Sequence, residues 1–319
     1  MQTRQIQTDS LGLQVIEAGE GPLVLLVHGF PELAISWTAQ IPVLAQAGYR
    51  VVAPDMRGYG GSDKPGQAEA YSIHHLVGDL VSLVRALGEA QAVVVGHDWG
   101  AAVAWQAALM RPDLFRAVAA LSVPFQPRRA KGPPTEVMAY QSRKAGLGDL
   151  YINRFQDPQA HRAFDADPET ALRKLFWSFD GSTAPADQAT GFMPEGQDLL
   201  ETVSDGAVLP PWLGASHLDA YVRAFAEGGF RGPFDWYRNI DRNWDQTAWL
   251  QDRQITVPAL FMVGERDPTR LYAGAQEAGL KDWVPDLRGQ VVVPGAGHWL
   301  QQERPGEVNQ ALIGFLNGL

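Results

Sequence analysis

The chain has 319 residues, 45% of them hydrophobic, with a formal net charge of −10 and no cysteine. That length can bury a large core, as one big domain or one and a half. The acidic balance argues against nucleic acid or an anionic membrane as a partner, and the missing thiols exclude disulfides and thiolate zinc sites.

In chain order, Met1-Gln2-Thr3-Arg4-Gln5-Ile6-Gln7 lacks the apolar segment of a secretory signal. The longest apolar runs, such as Leu23 to Val27 and Ala92 to Val95, are too short to span a bilayer, so a soluble, cytoplasmic protein is expected. Gly12 to Ala18 alternates like a strand, and Leu23 to Val27 reads as a strand buried on both faces, ending at His28-Gly29. A helical stretch is expected from about Glu32 to Gln46, then a strand over Arg50 to Asp55. Ile73, Leu76, Leu80, Leu83, Val84 and Leu87 mark an amphipathic helix within Ser72 to Leu87. A strand over Ala92 to Gly96, a helix from Gly100 to about Met110 and a strand over Arg116 to Val123 follow. This alternation predicts a parallel sheet flanked by helices.

The rhythm breaks near Pro124. From Gln126 to about Trp249 the pattern shows helices and no strand. Asp167-Pro168-Glu169 reads as a helix start with Pro at the first position, and Ser216 with Asp219 as a capping box. Lys131-Gly132-Pro133-Pro134 and Leu209-Pro210-Pro211 punctuate the segment. Strands return at Ala259 to Val263 and Gln290 to Val293, and a closing helix runs from Pro305 to about Leu316. The predicted layout is a core of residues 1–125 and 250–319 with a helical cap, 126–249, inserted between them. The cap is expected to act as a lid, because ligands of open α/β sheets bind beyond the carboxyl ends of the strands.

Gly96-His97-Asp98-Trp99-Gly100 lies between a buried strand and a helix. Small residues at both ends permit a tight turn that pushes the central side chain out above the sheet, the geometry of a nucleophile elbow with Asp98 in place of the usual serine. The bland alternative is an ordinary helix-capping aspartate. Asp267 after one later strand and His298 after another complete the order nucleophile, acid, histidine. Glu265 competes for the acid role; Asp267 is preferred by its place in the motif. His28-Gly29-Phe30-Pro31 stands where an oxyanion-hole amide is expected, so the Phe30 and Trp99 backbone N–H groups are the expected donors.

With these parts in view, the chain resembles the soluble and microbial epoxide hydrolases of the α/β-hydrolase fold. The resemblance rests on His28-Gly29-Phe30-Pro31-Glu32, Asp55-Met56-Arg57-Gly58-Tyr59-Gly60, the Asp98 elbow, Phe155-Gln156-Asp157-Pro158, Gly232-Pro233-Phe234-Asp235-Trp236-Tyr237-Arg238-Asn239 and Gly297-His298-Trp299, and covers nearly the whole chain. Gln159, where relatives often have Gly, and Pro268, directly after Asp267, are departures. The resemblance implies a hydrolase acting on ether bonds, with Asp98, His298 and Asp267 catalytic. It also implies two cap tyrosines holding the epoxide oxygen, which by motif are Tyr151 and Tyr237; Tyr140 and Tyr221 lie in the same segment. His28, Pro31, Trp99, Phe155 and Trp299 are expected to line the substrate pocket.

The chemistry suits those residue types. Opening an epoxide creates an alkoxide, and a phenol of reference pKa about 10 stays protonated at neutral pH to receive it. Attack by Asp98 leaves an ester, which water cleaves with neutral His298 as base, oriented by Asp267. No metal or organic cofactor is required. The expected partners are a small epoxide and water, with no nucleic acid or membrane, and a monomer or homodimer is expected. A haloalkane or haloacid dehalogenase would use the same aspartate, with Trp99 and Trp299 as halide donors. A non-enzymatic receptor on this fold would predict a damaged triad, and a serine hydrolase fails because no G-x-S-x-G occurs. Neighbouring His74 and His75 on a helix point about 100° apart, so they make a poor metal pair, and His161 and His217 read as surface or packing residues. Gly58-Tyr59-Gly60-Gly61-Ser62 lacks the Gly-Lys-Ser/Thr ending of a phosphate-binding loop.

Overall fold

Every side chain from Leu23 to Val27 is buried, as in a strand covered on both faces of a sheet. The computed structural model describes residues 1–128, 132–206 and 208–319, so Lys131 of the first Pro/Gly cluster lies outside the described residues. The strands are β1 (Gln2–Gln7), β2 (Gly12–Ala18), β3 (Leu23–Val27), β4 (Arg50–Pro54), β5 (Ala92–His97), β6 (Phe115–Leu121), β7 (Asp149–Leu150), β8 (Phe192–Met193), β9 (Ala259–Gly264) and β10 (Leu287–Val293). Eight form one sheet in the order β1-β2-β4-β3-β5-β6-β9-β10. Within this sheet the pairings of β2 with β1 and with β4 are antiparallel; β4, β3, β5, β6, β9 and β10 run parallel. The carboxyl ends of β5, β6, β9 and β10 therefore open on one side, where His97-Asp98, Ser122, Asp267 and His298 follow.

Several expectations are adjusted. β1 is an edge strand whose sequence, QTRQIQ, buries only Ile6; with one apolar contact it carries no visible pattern. The helix expected over 32–46 is instead a 3-10 turn, Ala34–Trp37, and a short helix, Ile41–Gln46. Pro42 supplies no N–H for a continuous helix through Thr38. Ser216 is not a cap: the backbone is extended at Gly214 and helical from Ala215 to Gly228, which puts Ser216 and Asp219 inside the helix. Among its described residues the insertion contains one strand pair, β7 with β8, too short at two residues each to leave a sequence pattern. Asp167 does cap the helix Pro168–Ser178, accepting from the Thr170 amide at 3.1 Å.

The insertion and one sheet face share a single apolar cluster, in which Phe155, Phe164, Phe176, Phe225 and Trp236 join Val27, Phe30 and Val94. Polar bonds fix the docking: the Tyr221 hydroxyl meets Ser36 Oγ at 2.6 Å, and Trp236 Nε1 donates to the Arg57 carbonyl at 3.2 Å. Among the described residues no helix is long and apolar enough to cross a membrane.

Beneath this seam, Arg57 forms a two-pronged ion pair with Asp79, and both side chains are buried. Ser10 Oγ also donates to Asp79 Oδ1, at 2.8 Å. Removing one partner of a buried pair strands the other charge. Asp79→Ala is therefore expected to lower unfolding free energy by about 3–5 kcal/mol, measured by urea titration at pH 7; a loss below 1 kcal/mol, about that of a solvent-exposed pair, would contradict this.

Candidate active site

The turn from β5 into the helix Trp99–Met110 is as tight as its glycines allow. A Cβ on Gly96 would lie 2.0 Å from the Gly100 carbonyl oxygen, and one on Gly100 would lie 2.1 Å from the Val27 oxygen. Any larger residue would force the helix away from the sheet. Between them Asp98 takes φ 53° and ψ −120°, a strained conformation for a residue with a side chain. The strain aims its carboxylate over the strand ends, at the amino end of a helix that favours negative charge.

The two carboxylate oxygens face different groups. Oδ1 accepts from the Phe30 amide at 2.9 Å, and Oδ2 faces His298 Nε2 at 3.5 Å. Among the described residues the Trp99 amide makes no hydrogen bond to Asp98. On the far side of the imidazole, Nδ1 lies 3.2 and 3.3 Å from the two oxygens of Asp267 and 3.0 Å from Ser122 Oγ. Glu265 is exposed and instead accepts from the Gly295 amide.

Burial favours neutral His298, but the charge and hydrogen bond of Asp267, together with those of Asp98, raise its pKa well above the ordinary value. Burial likewise pushes Asp98 and Asp267 up, and His298 more than compensates, so both carboxyls sit below their ordinary range. The Phe30 amide helps at Asp98; the Ser122 hydroxyl and Thr269 amide help at Asp267. All three shifts favour an imidazolium between two carboxylates in the resting site.

A small cavity of about 30 Å³ adjoins this ion cluster, lined by Phe30, Pro31, Asp98, Tyr151, Leu175, Phe179, Leu199, Tyr237, His298 and Trp299. It brings together Asp98, His298, Tyr151, Tyr237, Pro31 and Trp299 from five separate stretches of chain. Tyr151 opens a short helix after β7, and Tyr237 belongs to the helix Arg231–Arg238. Their rings meet edge to face, 5.9 Å between centroids. Burial, then the nearby Asp98 charge, raises the Tyr151 pKa; burial, the neighbouring Tyr151 hydroxyl and the Asp98 charge raise that of Tyr237. Both therefore remain phenols that can donate. Tyr140 is exposed, and Tyr221 is engaged with Ser36.

Three expected pocket residues stand back from the cavity. His28 is wholly buried, with Nε2 accepting from the Met56 amide and Nδ1 bonded to the Gly29 carbonyl, both at 2.9 Å, so it braces the loop beneath. Phe155 and Trp99 pack edge-on against Tyr237, at 5.0 and 5.2 Å, and fix its ring from behind. Conversely, Ser122 was not anticipated. Its signal was positional: it follows the strand lying between those of Asp98 and Asp267. Leu175, Phe179 and Leu199 lie in the insertion with no local signal at all.

Glu303 holds the histidine loop. Its carboxylate accepts from the amides of Gly297, Trp299 and Gly181 at 2.7, 2.9 and 2.9 Å, joining both flanks of His298 to the insertion. His97 supports the loop from below: Nε2 meets the His298 carbonyl at 2.7 Å and Nδ1 meets Glu32 at 2.6 Å.

Residues 22–305 match the family described as alpha/beta hydrolase fold. The chain is 46% identical to Epoxide hydrolase A of Mycobacterium tuberculosis over 99% of this chain and 97% of that one. Among solved structures, an epoxide hydrolase from an endophytic Streptomyces superposes with TM-score 0.94 at 40% identity, covering 99% of this chain and 95% of the other. Epoxide Hydrolase A from Mycobacterium thermoresistibile superposes with TM-score 0.91 at 42% identity, covering 100% and 98%.

Burial, reinforced by the charge of Asp180, outweighs those three amides and lifts the Glu303 pKa from 4.5 to about 7. The folded protein thus holds this proton more tightly than the unfolded chain. The associated stability is fully present below pH 4.5 and is lost as pH rises through about 7. Thermal unfolding from pH 4.5 to 8 should show wild type losing stability relative to Glu303→Gln as pH rises; a difference independent of pH would contradict the assignment.

Proposed function

The chain belongs to the epoxide hydrolases of the α/β-hydrolase fold, and from that membership we propose that it converts an epoxide and water into a vicinal diol through an ester on Asp98. The observation that carries this reading is the split environment of one carboxylate: Oδ1 held by a backbone amide, Oδ2 facing a histidine and a cavity walled by two phenols.

In the first step Asp98 Oδ2 bonds to one epoxide carbon from the face opposite its C–O bond, and that bond breaks. Tyr151 and Tyr237 receive the leaving oxygen, and one phenol gives up its proton. The ester carries no charge, so His298 loses one of the two carboxylates that hold its proton. Its pKa falls, and the imidazolium proton makes good the phenol's loss. The same event that forms the ester thereby creates the neutral base needed to cleave it.

In the second step His298 Nε2 takes a proton from water, whose oxygen attacks Asp98 Cγ. The oxyanion grows on Oδ1 against the Phe30 amide, with the Trp99 amide at the helix start as the second donor; each such donor is typically worth roughly 3 kcal/mol. Collapse breaks the bond from Cγ to the alkyl oxygen, which takes the remaining water proton and leaves as the diol. Asp98 is again a carboxylate and His298 an imidazolium, oriented by Asp267.

A cavity of about 30 Å³ holds water but no epoxide. We therefore assign residues 126–249 as a cap that opens to admit substrate onto a core of 1–125 and 250–319. The same reading makes the protein a cytoplasmic monomer or homodimer, in keeping with its net charge of −10. A dehalogenase reading is weakened at Trp299, whose Nε1 donates to the Phe176 carbonyl at 3.1 Å rather than into the cavity. Turnover of styrene oxide against a bromoalkane separates the two, and ligand binding without turnover would favour a receptor.

One turnover in ¹⁸O-water should leave label in the Asp98 carboxylate and none in the first diol; label in that diol would sink the ester mechanism. In His298→Gln the ester should accumulate, its hydrolysis slowed by about 10²–10⁴-fold for loss of the general base. Intact-protein mass spectrometry would detect it as a gain of one epoxide mass, and a variant that turns over without that adduct would contradict the assignment.

A further inference from the structure

β6 lies between β5, which delivers Asp98, and β9, which delivers the loop of Asp267. The residue after β6 is Ser122. Its backbone has φ 73°, a conformation that glycine adopts freely and a side chain resists. Its amide still donates to the Met262 carbonyl at 2.8 Å, which holds the turn to β9. The position thus favours glycine on backbone grounds and carries a hydroxyl.

That hydroxyl is buried within the ion cluster. Oγ donates to Asp267 Oδ2 at 2.6 Å and lies 3.0 Å from His298 Nδ1. A hydroxyl has one proton and two lone pairs. With its proton committed to Asp267, it can only accept from Nδ1–H. It stands closer to Nδ1 than either Asp267 oxygen, at 3.2 and 3.3 Å. Thr269 Oγ1 is 3.4 Å away, and the Thr269 amide holds Asp267 Oδ1 at 2.9 Å. The arrangement keeps the proton on Nδ1 and leaves Nε2, which faces Asp98, as the basic nitrogen once the ester forms.

We propose that Ser122 is a positioning residue for ester hydrolysis, relaying the hold of Asp267 onto His298 through Nδ1–H···Oγ–H···Oδ2. The proposal rests on the ester mechanism above. It places Ser122 outside the alkylation step, because Asp98 Oδ2 and the two phenols do not touch it. The ionisable groups facing His298 are Asp98, Asp267 and the His97 ring, 4.9 Å away; changing Ser122 leaves all three in place and takes one hydroxyl donor from Asp267.

Ser122→Ala and Ser122→Gly both remove the hydroxyl, and the glycine also relieves the backbone. Rapid-quench single turnovers with styrene oxide would measure ester formation and hydrolysis separately. Formation should stay within about twofold of wild type, and hydrolysis should slow about 10- to 100-fold in both variants, in line with a supporting contact to a general base. The downfield proton resonance of His298 Nδ1, assigned by its absence in His298→Gln, should shift or broaden in both. Hydrolysis at the wild-type rate would overturn the proposal. So would an unchanged resonance, equal slowing of both steps, or recovery in Ser122→Gly alone, which would make the effect one of backbone strain. If wild type forms no ester, the proposed mechanism itself fails; if it does and the variants hydrolyse normally, only the role of Ser122 fails.

Discussion

An imidazolium held between two buried carboxylates governs this molecule. Away from water, charges interact strongly, and each is costly without its partners. Asp98, His298 and Asp267 can remain ionised under the insertion because each meets a counter-charge or amide within 3.5 Å. The arrangement is also poised. In the proposed mechanism, a bond formed to Asp98 neutralises it and weakens the hold on the His298 proton, so the first step would set the protonation state for the second.

That poise depends on a histidine loop fixed from all sides. The His298 amide donates to the Phe179 carbonyl at 2.9 Å, and Trp299 Nε1 reaches the Phe176 carbonyl, so the insertion grips the loop by backbone atoms as well as through Glu303. In the proposed reading, an opening of the insertion would leave this part of the seam closed and yield elsewhere. Leu175, Leu199 and Tyr151 form the wall of the cavity away from that grip.

Much of the architecture was legible because it is written in short-range patterns. Continuous aliphatic runs mark β3 and β5, and the closing helix begins at Pro305 where its first-turn proline predicts. The elbow was legible for a steric reason: only glycine tolerates contacts of about 2 Å at positions 96 and 100. Elements that lean on neighbours escaped notice. β1 has one buried residue, and β7 and β8 have two residues each, so pairing rather than pattern defines them.

The chain by itself marked Asp98, Asp267 and His298 as the candidate side chains and fixed their order, since residue type and turn sterics are local properties. It could not determine distances between segments more than 100 residues apart, which follow from how helices pack on the sheet. Only the tertiary structure decided that Tyr151 and Tyr237, rather than Tyr140 and Tyr221, face the cavity. Packing likewise turned His28 inward to brace a loop, gave Oδ1 to an amide and Oδ2 to His298, and brought Ser122 between His298 and Asp267.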